Sequence, residues 1–223
     1  MSGPKAIKPK TADVFSVKVA ENAFIFGRVL FDVTKQYMKN TSAEERHNSL
    51  DFFNKCMLVE MYKGVYQDPS EMADAEIAVP CEFIPGSFFK DYECTLTGHT
   101  PVNPELIRFP EYLTSYGRDY FFSTGELRIK IPIDTKMYEE IKVHPCFGSG
   151  YWLVMAVLDA SGRLDLADEE DRIPGRNYFR ASDLHASPDI RAQIYALAGE
   201  DPAQSYYELA LKHGYDLKRL YTE

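Results

Sequence analysis

Residues 13–33, DVFSVKVAENAFIFGRVLFDV, constrain the fold more than any other part of this sequence. Apolar and polar residues alternate up to Val19, as in a strand with one buried face. Residues 20–22 can form a turn, and residues 23–33 are then apolar at nearly every position. A strand that is apolar on both faces is usually central in its sheet and covered on both sides. We therefore predict a β-hairpin that forms the middle of a sheet.

Arg28 interrupts this apolar strand. We expect its guanidinium to pair with a carboxylate in the core, because a buried charge is costly unless it is paired. The alternative is that Arg28 marks an interface.

Other segments predict the rest of the fold. The apolar runs at residues 56–65 and 151–158 are typical of strands, and residues 120–122 and 127–133 form the arms of a second hairpin. Pro132 places the end of that hairpin at a sheet edge. The capping-box pattern Ser42-x-x-Glu45 predicts a short helix that ends near Lys55.

Residues 98–113 contain three prolines, which predicts a long ordered loop rather than a helix or a central strand. We expect apolar side chains of this loop to anchor it on the core. They are Val102, Leu106, Ile107, Phe109 and Leu113.

The C-terminal region has helical periodicity. Ser187, Pro188 and Gly199 frame one helix, and Asp201, Pro202 and Gly214 frame a second. The simplest fold class is therefore α+β, an antiparallel, barrel-like β-sheet with C-terminal helices, in a single domain over residues 8–223. A helical subdomain at residues 176–223 is the alternative.

The chain has 25 basic and 34 acidic residues, a formal net charge of −9. This balance argues against binding to nucleic acid, which requires clustered Lys and Arg. It suits a basic protein partner, because opposite charge steers association. The alternative is a charge that serves solubility alone.

The cysteines, Cys56, Cys81, Cys94 and Cys146, have no C-x-x-C spacing. The N-terminal segment lacks the apolar stretch of a signal peptide, and no run of about 18 apolar residues predicts a membrane span. We therefore expect a cytoplasmic protein with reduced thiols and no membrane contact.

The sequence contains no recognisable catalytic, cofactor or metal motif. Its five histidines have neither H-x-H nor H-E-x-x-H spacing, and phosphate-binding glycine motifs are absent. His144 and Cys146 lie two residues apart, so a Cys-His pair is conceivable, but a structural role for both is favoured. We predict no cofactor and no catalytic residues.

Two acidic segments are the candidate contacts for a cationic partner. The alternative is that each is an ordinary solvated loop. The candidate residues are Asp168, Glu169, Glu170 and Asp171 in the first segment and Asp68, Glu71, Asp74 and Glu76 in the second.

Several segments together resemble the immunity protein 26 family of bacterial polymorphic-toxin systems, from about Lys8 to Tyr221. The most specific pieces are F-G-R-V at residues 26–29 and T-G-H-T-P-V at residues 97–102. The others are CMLVEMYKG, STGELRIKIPI and DPAQSYYELALKHGYDLKRLY. The resemblance implies a cytoplasmic protein that binds and neutralises a cognate toxin, and it carries over no catalytic residues.

We therefore expect an immunity protein that inhibits its toxin by stoichiometric binding, as a monomer or a homodimer. A basic, nuclease-type toxin domain would suit the acidic segments. Some relatives are labelled phosphotriesterase, so a small phosphoester hydrolase is one alternative. Metal-dependent organophosphate hydrolases, however, are large α/β barrels with H-x-H ligands, which this chain lacks. A non-catalytic accessory binding protein is the other alternative.

Overall fold

The structure is a computed structural model that describes residues 6–42, 49–70, 76–146 and 150–221. The strands of these residues are β1 Asp13–Ala20, β2 Ala23–Asp32, β3 Cys56–Tyr62, β4 Ile77–Pro85, β5 Cys94–His99, β6 Glu111–Tyr116, β7 Asp119–Thr124 and β8 Leu127–Ile131. The α-helices are α1 Phe88–Asp91, α2 Thr135–Ile141, α3 Tyr151–Ala160, α4 Pro188–Ala198 and α5 Tyr206–Lys212. This content confirms the α+β class with antiparallel strands.

The chain forms two compact units, each assembled from three stretches of sequence. The first comprises residues 1–33, 55–102 and 147–178, and the second comprises the remaining residues, 34–54, 103–146 and 179–223. The C-terminal helices α4 and α5 belong to the second unit, which also contains strands.

The first unit contains a five-stranded antiparallel sheet in the order β4-β3-β2-β1-β5. The predicted hairpin is confirmed, and β2 is the middle strand, as its apolar character on both faces indicates. Helix α3 packs against β4. Among the described residues neither this sheet nor the three-stranded sheet of the second unit closes on itself, so the barrel-like arrangement is not confirmed.

Arg28 has the predicted carboxylate partner. Its Nε donates to Oε1 of Glu60, opposite it on β3, at 2.7 Å, and both side chains are largely buried. Tyr62 donates its hydroxyl to the same oxygen at 3.1 Å. Arg28 Nη1 also donates to the carbonyl of Pro101 at 3.2 Å. The F-G-R-V and T-G-H-T-P-V segments, which carry the family resemblance, are therefore in direct contact.

The predicted strand at residues 151–158 is wrong, because this segment is helix α3. Six consecutive residues of α3, 153–158, are buried, so the segment is apolar around nearly its whole circumference. Such a run has no periodicity that separates a buried helix from a buried strand. The Leu, Met and Ala in it are good helix formers, and Gly150 begins the helix in a left-handed conformation with φ of 86°.

Gly150→Ala is expected to destabilise the protein by about 2 kcal/mol, because a left-handed residue with a side chain is strained and its Cβ would overlap a core ring. That Cβ would lie 2.1 Å from Cδ2 of Phe88. Gly162→Ala is the matched control, since Gly162 also has a positive φ, 66°, but nothing within 4 Å. Urea unfolding should show the larger loss for Gly150→Ala; equal losses would contradict the predicted overlap with Phe88.

Two further predictions are wrong in part, and a third extends beyond the residues that the structure describes. Leu106 does not anchor its loop, since it is 81% exposed, whereas Ile107, Phe109 and Leu113 are buried as expected. The second C-terminal helix begins later than predicted, because Ser205 and Glu208 form a capping box that starts α5. The Ser42-x-x-Glu45 pattern extends outside the described residues, which resume with a 3₁₀ turn at Ser49–Phe53.

The second unit contains the three-stranded antiparallel sheet β6-β7-β8, with β8 at an edge as Pro132 predicts. A buried polar cluster, the Glu111 network, joins β6 to α4. The carboxylate of Glu111 accepts from Arg191 Nε at 2.7 Å, from Arg191 Nη2 at 2.9 Å and from the Tyr195 hydroxyl at 2.6 Å. His185 and Asp183 complete the network, with Nδ1 of the ring 2.8 Å from Oδ1 of Asp183. These contacts satisfy the buried carboxylates and fix the start of β6 against α4.

The pKa of Asp183 lies below its ordinary value. Burial acts in the opposite direction, but hydrogen bonds from the His185 ring and from the backbone N–H groups of Glu111 and His185 stabilise the carboxylate. A carboxylate whose pKa is lower in the folded state stabilises the fold above its unfolded pKa of about 4, and this contribution disappears as the pH falls through the folded value.

Asp183→Asn is therefore expected to destabilise the protein most at neutral pH, and its deficit should shrink as the pH falls below about 4. Free energies of unfolding measured in urea at several pH values test this. A deficit that stays constant with pH would contradict the role given to the Asp183 charge.

Candidate protein-binding face

Helix α3 and the chain that returns along it form the most distinctive surface of the first unit. We call this surface the aromatic–acidic face; it consists of Trp152, Arg176, Tyr178 and the acidic residues Asp168, Glu169, Glu170 and Asp171. The return segment is anchored on the helix, since the Gly175 N–H donates to Oδ2 of Asp159 at 2.8 Å.

Trp152 is the centre of this face. It is the only tryptophan of the chain, and 36% of it is exposed. The guanidinium of Arg176 lies over its ring, 4.2 Å from the centroid, and the ring of Tyr178 is 6.0 Å away. An arginine at this distance over an indole is a cation–π pair. Trp, Tyr and Arg are the residues most enriched at binding hot spots of protein interfaces.

The acidic turn Glu169–Asp171 borders this aromatic group. The nearby carboxylates of Asp171 and Asp168, together with burial, raise the pKa of Tyr151 to about 12, although the Tyr151 hydroxyl forms no hydrogen bond of good geometry within the described residues. The ring of Tyr151 is in turn 5.0 Å from that of Trp152 in an edge-to-face arrangement. The carboxylates of Asp171 and Asp168 therefore lie near Tyr151, whose ring is in contact with Trp152.

Two arginine side chains fix the backbone of the acidic segment but do not pair with Glu169 or Glu170. Arg172 donates to the backbone carbonyls of Ala167 at 3.0 Å and Asp165 at 3.1 Å. Arg163 pairs in bidentate fashion with the carboxylate of Asp165, at 2.9 and 3.1 Å. Glu169 and Glu170 are exposed and make no ion pair within the described residues. Their charge is therefore available to a partner.

In the second acidic segment, the structure describes Asp68 and Glu76. Asp68 is exposed and accepts from the N–H of Ser70 at 2.8 Å and from its hydroxyl at 2.6 Å, which lowers the pKa of Asp68. Glu76 pairs with Lys63 at 2.9 Å. Glu71 and Asp74 lie outside the described residues.

Of the described residues in this second segment, neither Asp68 nor Glu76 has a contact with the acidic turn. The connection that carries Asp68 is joined to α3 by the Gly64 N–H, which donates to the hydroxyl of Ser161 at 2.8 Å. Ser161 follows the C-terminal end of α3, whereas Asp171 borders Tyr151 at the N-terminal end. Among the candidate residues that the structure describes, those at 168–171 are the ones placed near Tyr151 and Trp152.

The described residues offer little support for a catalytic site among the other candidates. No three His, Cys, Asp or Glu side chains converge as a metal-binding group within the part of the chain that the structure describes. His144 packs its ring against Tyr138, with centroids 4.9 Å apart, and its N–H donates to the carbonyl of Ala181. Cys146 is exposed, and the four cysteines are not bonded to one another.

Sequence reasoning missed Trp152, Arg176 and Tyr178. Trp152 was not recognised as a surface residue because its segment was predicted to be a buried strand, where a tryptophan would be part of the core. The available signal was its uniqueness in a chain with 15 Tyr and 14 Phe. A single tryptophan that is followed within 20 to 30 residues by an acidic run and an arginine fits a binding surface as well as a core.

Comparisons with protein-family models, with curated proteins and with solved structures give no match to this chain. Within the described residues no helix has both the length and the apolar character that crossing a membrane requires.

Proposed function

We propose that this protein is a cytoplasmic immunity protein of the immunity protein 26 type, which binds a cognate bacterial toxin and neutralises it stoichiometrically. The observation that carries the proposal is the exposed Trp152–Arg176 pair bordered by the acidic turn. The sequence resemblance supplies the class of partner, and this surface supplies the means of binding.

The composition of the face supports a protein partner. A hot spot usually consists of an aromatic or arginine anchor that becomes fully desolvated, surrounded by polar contacts that exclude water. Trp152 and Arg176 are suited to be the anchor, and the surrounding carboxylates are suited to be the polar contacts that exclude water. An interface of ordinary size, about 1,600 Å² in total, would extend over the acidic turn as well.

The charge of the face supports a basic partner. Glu169 and Glu170 contribute two of the negative charges of a chain whose net charge is −9. A toxin that acts on nucleic acid has a basic active site, and carboxylates placed there occupy the position of phosphates. Inhibition by covering such a site follows from this complementarity.

The proposal predicts that a neighbouring gene encodes the toxin, and co-expression with that toxin tests it. Cells that produce the toxin should survive when this protein is present and die when it is absent. Death in both cases, with the protein shown to be soluble and folded, would contradict the proposal.

Glu169→Gln/Glu170→Gln is expected to slow association with the toxin about tenfold at low salt and to weaken the salt dependence, because exposed charges steer the encounter. Glu139→Gln/Glu140→Gln is the matched control, since these are also consecutive exposed glutamates, but on α2 of the second unit. Stopped-flow association rates at several salt concentrations provide the measurement. Equal effects of the two double variants would show that general charge, rather than the acidic turn, steers binding.

A further inference from the structure

The two edges of the five-stranded sheet in the first unit differ in character. Strand β4 forms one edge and contains Pro80 and Pro85. Proline removes a backbone donor and is one of the usual protections of a sheet edge against pairing. Strand β5 forms the other edge, and no strand of the described residues pairs with its outer side.

Strand β5 has few of the usual protections. Thr95 and Leu96 are exposed, Leu96 to 45%, and the stretch from Cys94 to Gly98 contains neither proline nor a charged side chain. Natural edge strands are commonly blunted by lysine, by proline or by a bulge. β5 has a bulge at Thr97, where its register with β1 shifts. The residues before the bulge, 94–96, are therefore open to a further strand.

The pairing of β5 with β1 shows which backbone groups of β5 point outward. The Lys18 N–H donates to the carbonyl of Glu93 at 2.9 Å, and Val17 lies opposite Cys94. Hydrogen bonding alternates along an antiparallel ladder, so the groups of Thr95 point toward β1. The N–H and C=O groups of Cys94 and Leu96 point away from β1 and determine the register that a further strand can adopt.

A second copy of the same strand satisfies these outward groups. A two-fold axis perpendicular to the sheet brings identical edges together as antiparallel strands. With the axis at Thr95, each Cys94 lies opposite the partner's Leu96, and the two residues exchange both of their hydrogen bonds. The exposed Leu96 side chain then packs beside the partner's Cys94, and the two Thr95 side chains meet. Residues 94–96 are uncharged, so no like charges oppose one another in this register.

We propose that β5 is a homodimerisation edge, at which two copies of this chain pair through residues 94–96 and join their sheets. A strand pair this short belongs to the small interfaces, below about 1,200 Å², which associate weakly. We therefore expect a monomer at micromolar concentration and a dimer as the concentration approaches about 1 mM. The pairing uses no residue of the aromatic–acidic face, so it is separate from the proposed binding of the toxin.

Sedimentation equilibrium from about 10 µM to about 1 mM measures this association. The mean mass should rise from that of one chain toward that of two. Leu96→Lys should weaken dimerisation at least about tenfold, because a lysine on the edge loses hydration when the strands pair. Ile77→Lys is the matched control, since Ile77 is 46% exposed at the start of β4, the other edge, and should leave dimerisation unchanged. A constant mass of one chain would overturn the proposal and leave the edge to another partner, and equal effects of the two variants would also overturn it.

A cysteine at the two-fold axis tests the register. In a Cys146→Ser background, which removes an exposed thiol, Thr95→Cys should form a disulfide-linked dimer on mild oxidation. Opposite residues of a non-hydrogen-bonded pair have Cα atoms about 4.5 Å apart, within the range of a disulfide. Burial raises the pKa of the Cys94 thiol to about 12, so this neighbour is a poor competitor.

Thr100→Cys in the same background is the control for the cross-link. Thr100 is also an exposed threonine, but in this register it lies about 30 Å from its symmetry mate. Cross-linking should therefore be fast for Thr95→Cys and slow for Thr100→Cys. Equal rates for the two variants would overturn the proposed pairing.

Discussion

Glu111→Gln is expected to lower the free energy of unfolding by about 3–5 kcal/mol, the range for breaking a buried ion pair by removing one partner. The Glu111 side chain is only 5% exposed, and its carboxylate accepts from both Nε and Nη2 of Arg191. Without its charge, the guanidinium stays largely buried and loses its compensation. The Tyr195 hydroxyl, 2.6 Å from the same carboxylate, also loses a strong acceptor.

Urea unfolding monitored by circular dichroism measures this loss. Glu140→Gln is the control, because Glu140 is exposed and its Lys136 partner is 3.8 Å away, a pair worth less than about 1 kcal/mol. A loss for Glu111→Gln as small as that of the control would show that the charge of Glu111 is not what holds β6 to α4.

Trp152→Ala is expected to weaken binding to the cognate toxin by about 3 kcal/mol, more than a hundredfold in Kd, as truncation of a central aromatic anchor does. The change removes both the ring and the surface on which Arg176 lies, 4.2 Å from its centroid. Arg176→Ala should reproduce part of the loss while leaving the ring in place, which separates binding from effects on folding.

Tyr116→Ala is the matched control for this prediction. Tyr116 is an exposed aromatic residue of the second unit, 76% accessible, with the guanidinium of Arg128 5.7 Å from its ring. It therefore resembles Trp152 in character but lies outside the aromatic–acidic face. Isothermal titration should show a large loss for Trp152→Ala and almost none for Tyr116→Ala. If both Trp152→Ala and Arg176→Ala bind with normal affinity, the aromatic–acidic face is not part of the interface.

Local patterns in the sequence predicted several local parts of the fold, although not helix α3. The alternation before Val19 and the apolar run after it gave the β1–β2 hairpin and the central place of β2. The Ser187, Pro188 and Gly199 signals gave the bounds of α4. Arg28 called for a carboxylate, but only the register of β2 on β3 identifies Glu60 as that carboxylate, because register is a long-range property.

Long-range assembly explains what the sequence could not predict. The acidic turn was recognisable from four consecutive carboxylates, but its proximity to Trp152 depends on a chain that returns along α3. The pocket beside the Glu111 network is still less visible in the sequence, since the residues that line it come from three separate stretches, near residues 105, 185 and 204. Leu106 illustrates the difference: in sequence it is one of several anchors of a loop, and in the structure it lines the pocket.

The most direct test of the central claim is the mass of the complex formed with the purified toxin domain encoded by the neighbouring gene. Gel filtration with light scattering of an equimolar mixture should give one peak whose mass is the sum of the two chains. The same mixture made with Trp152→Ala should give the two proteins separately at low concentration. Separate elution of the wild-type protein and the toxin at micromolar concentration would contradict the account.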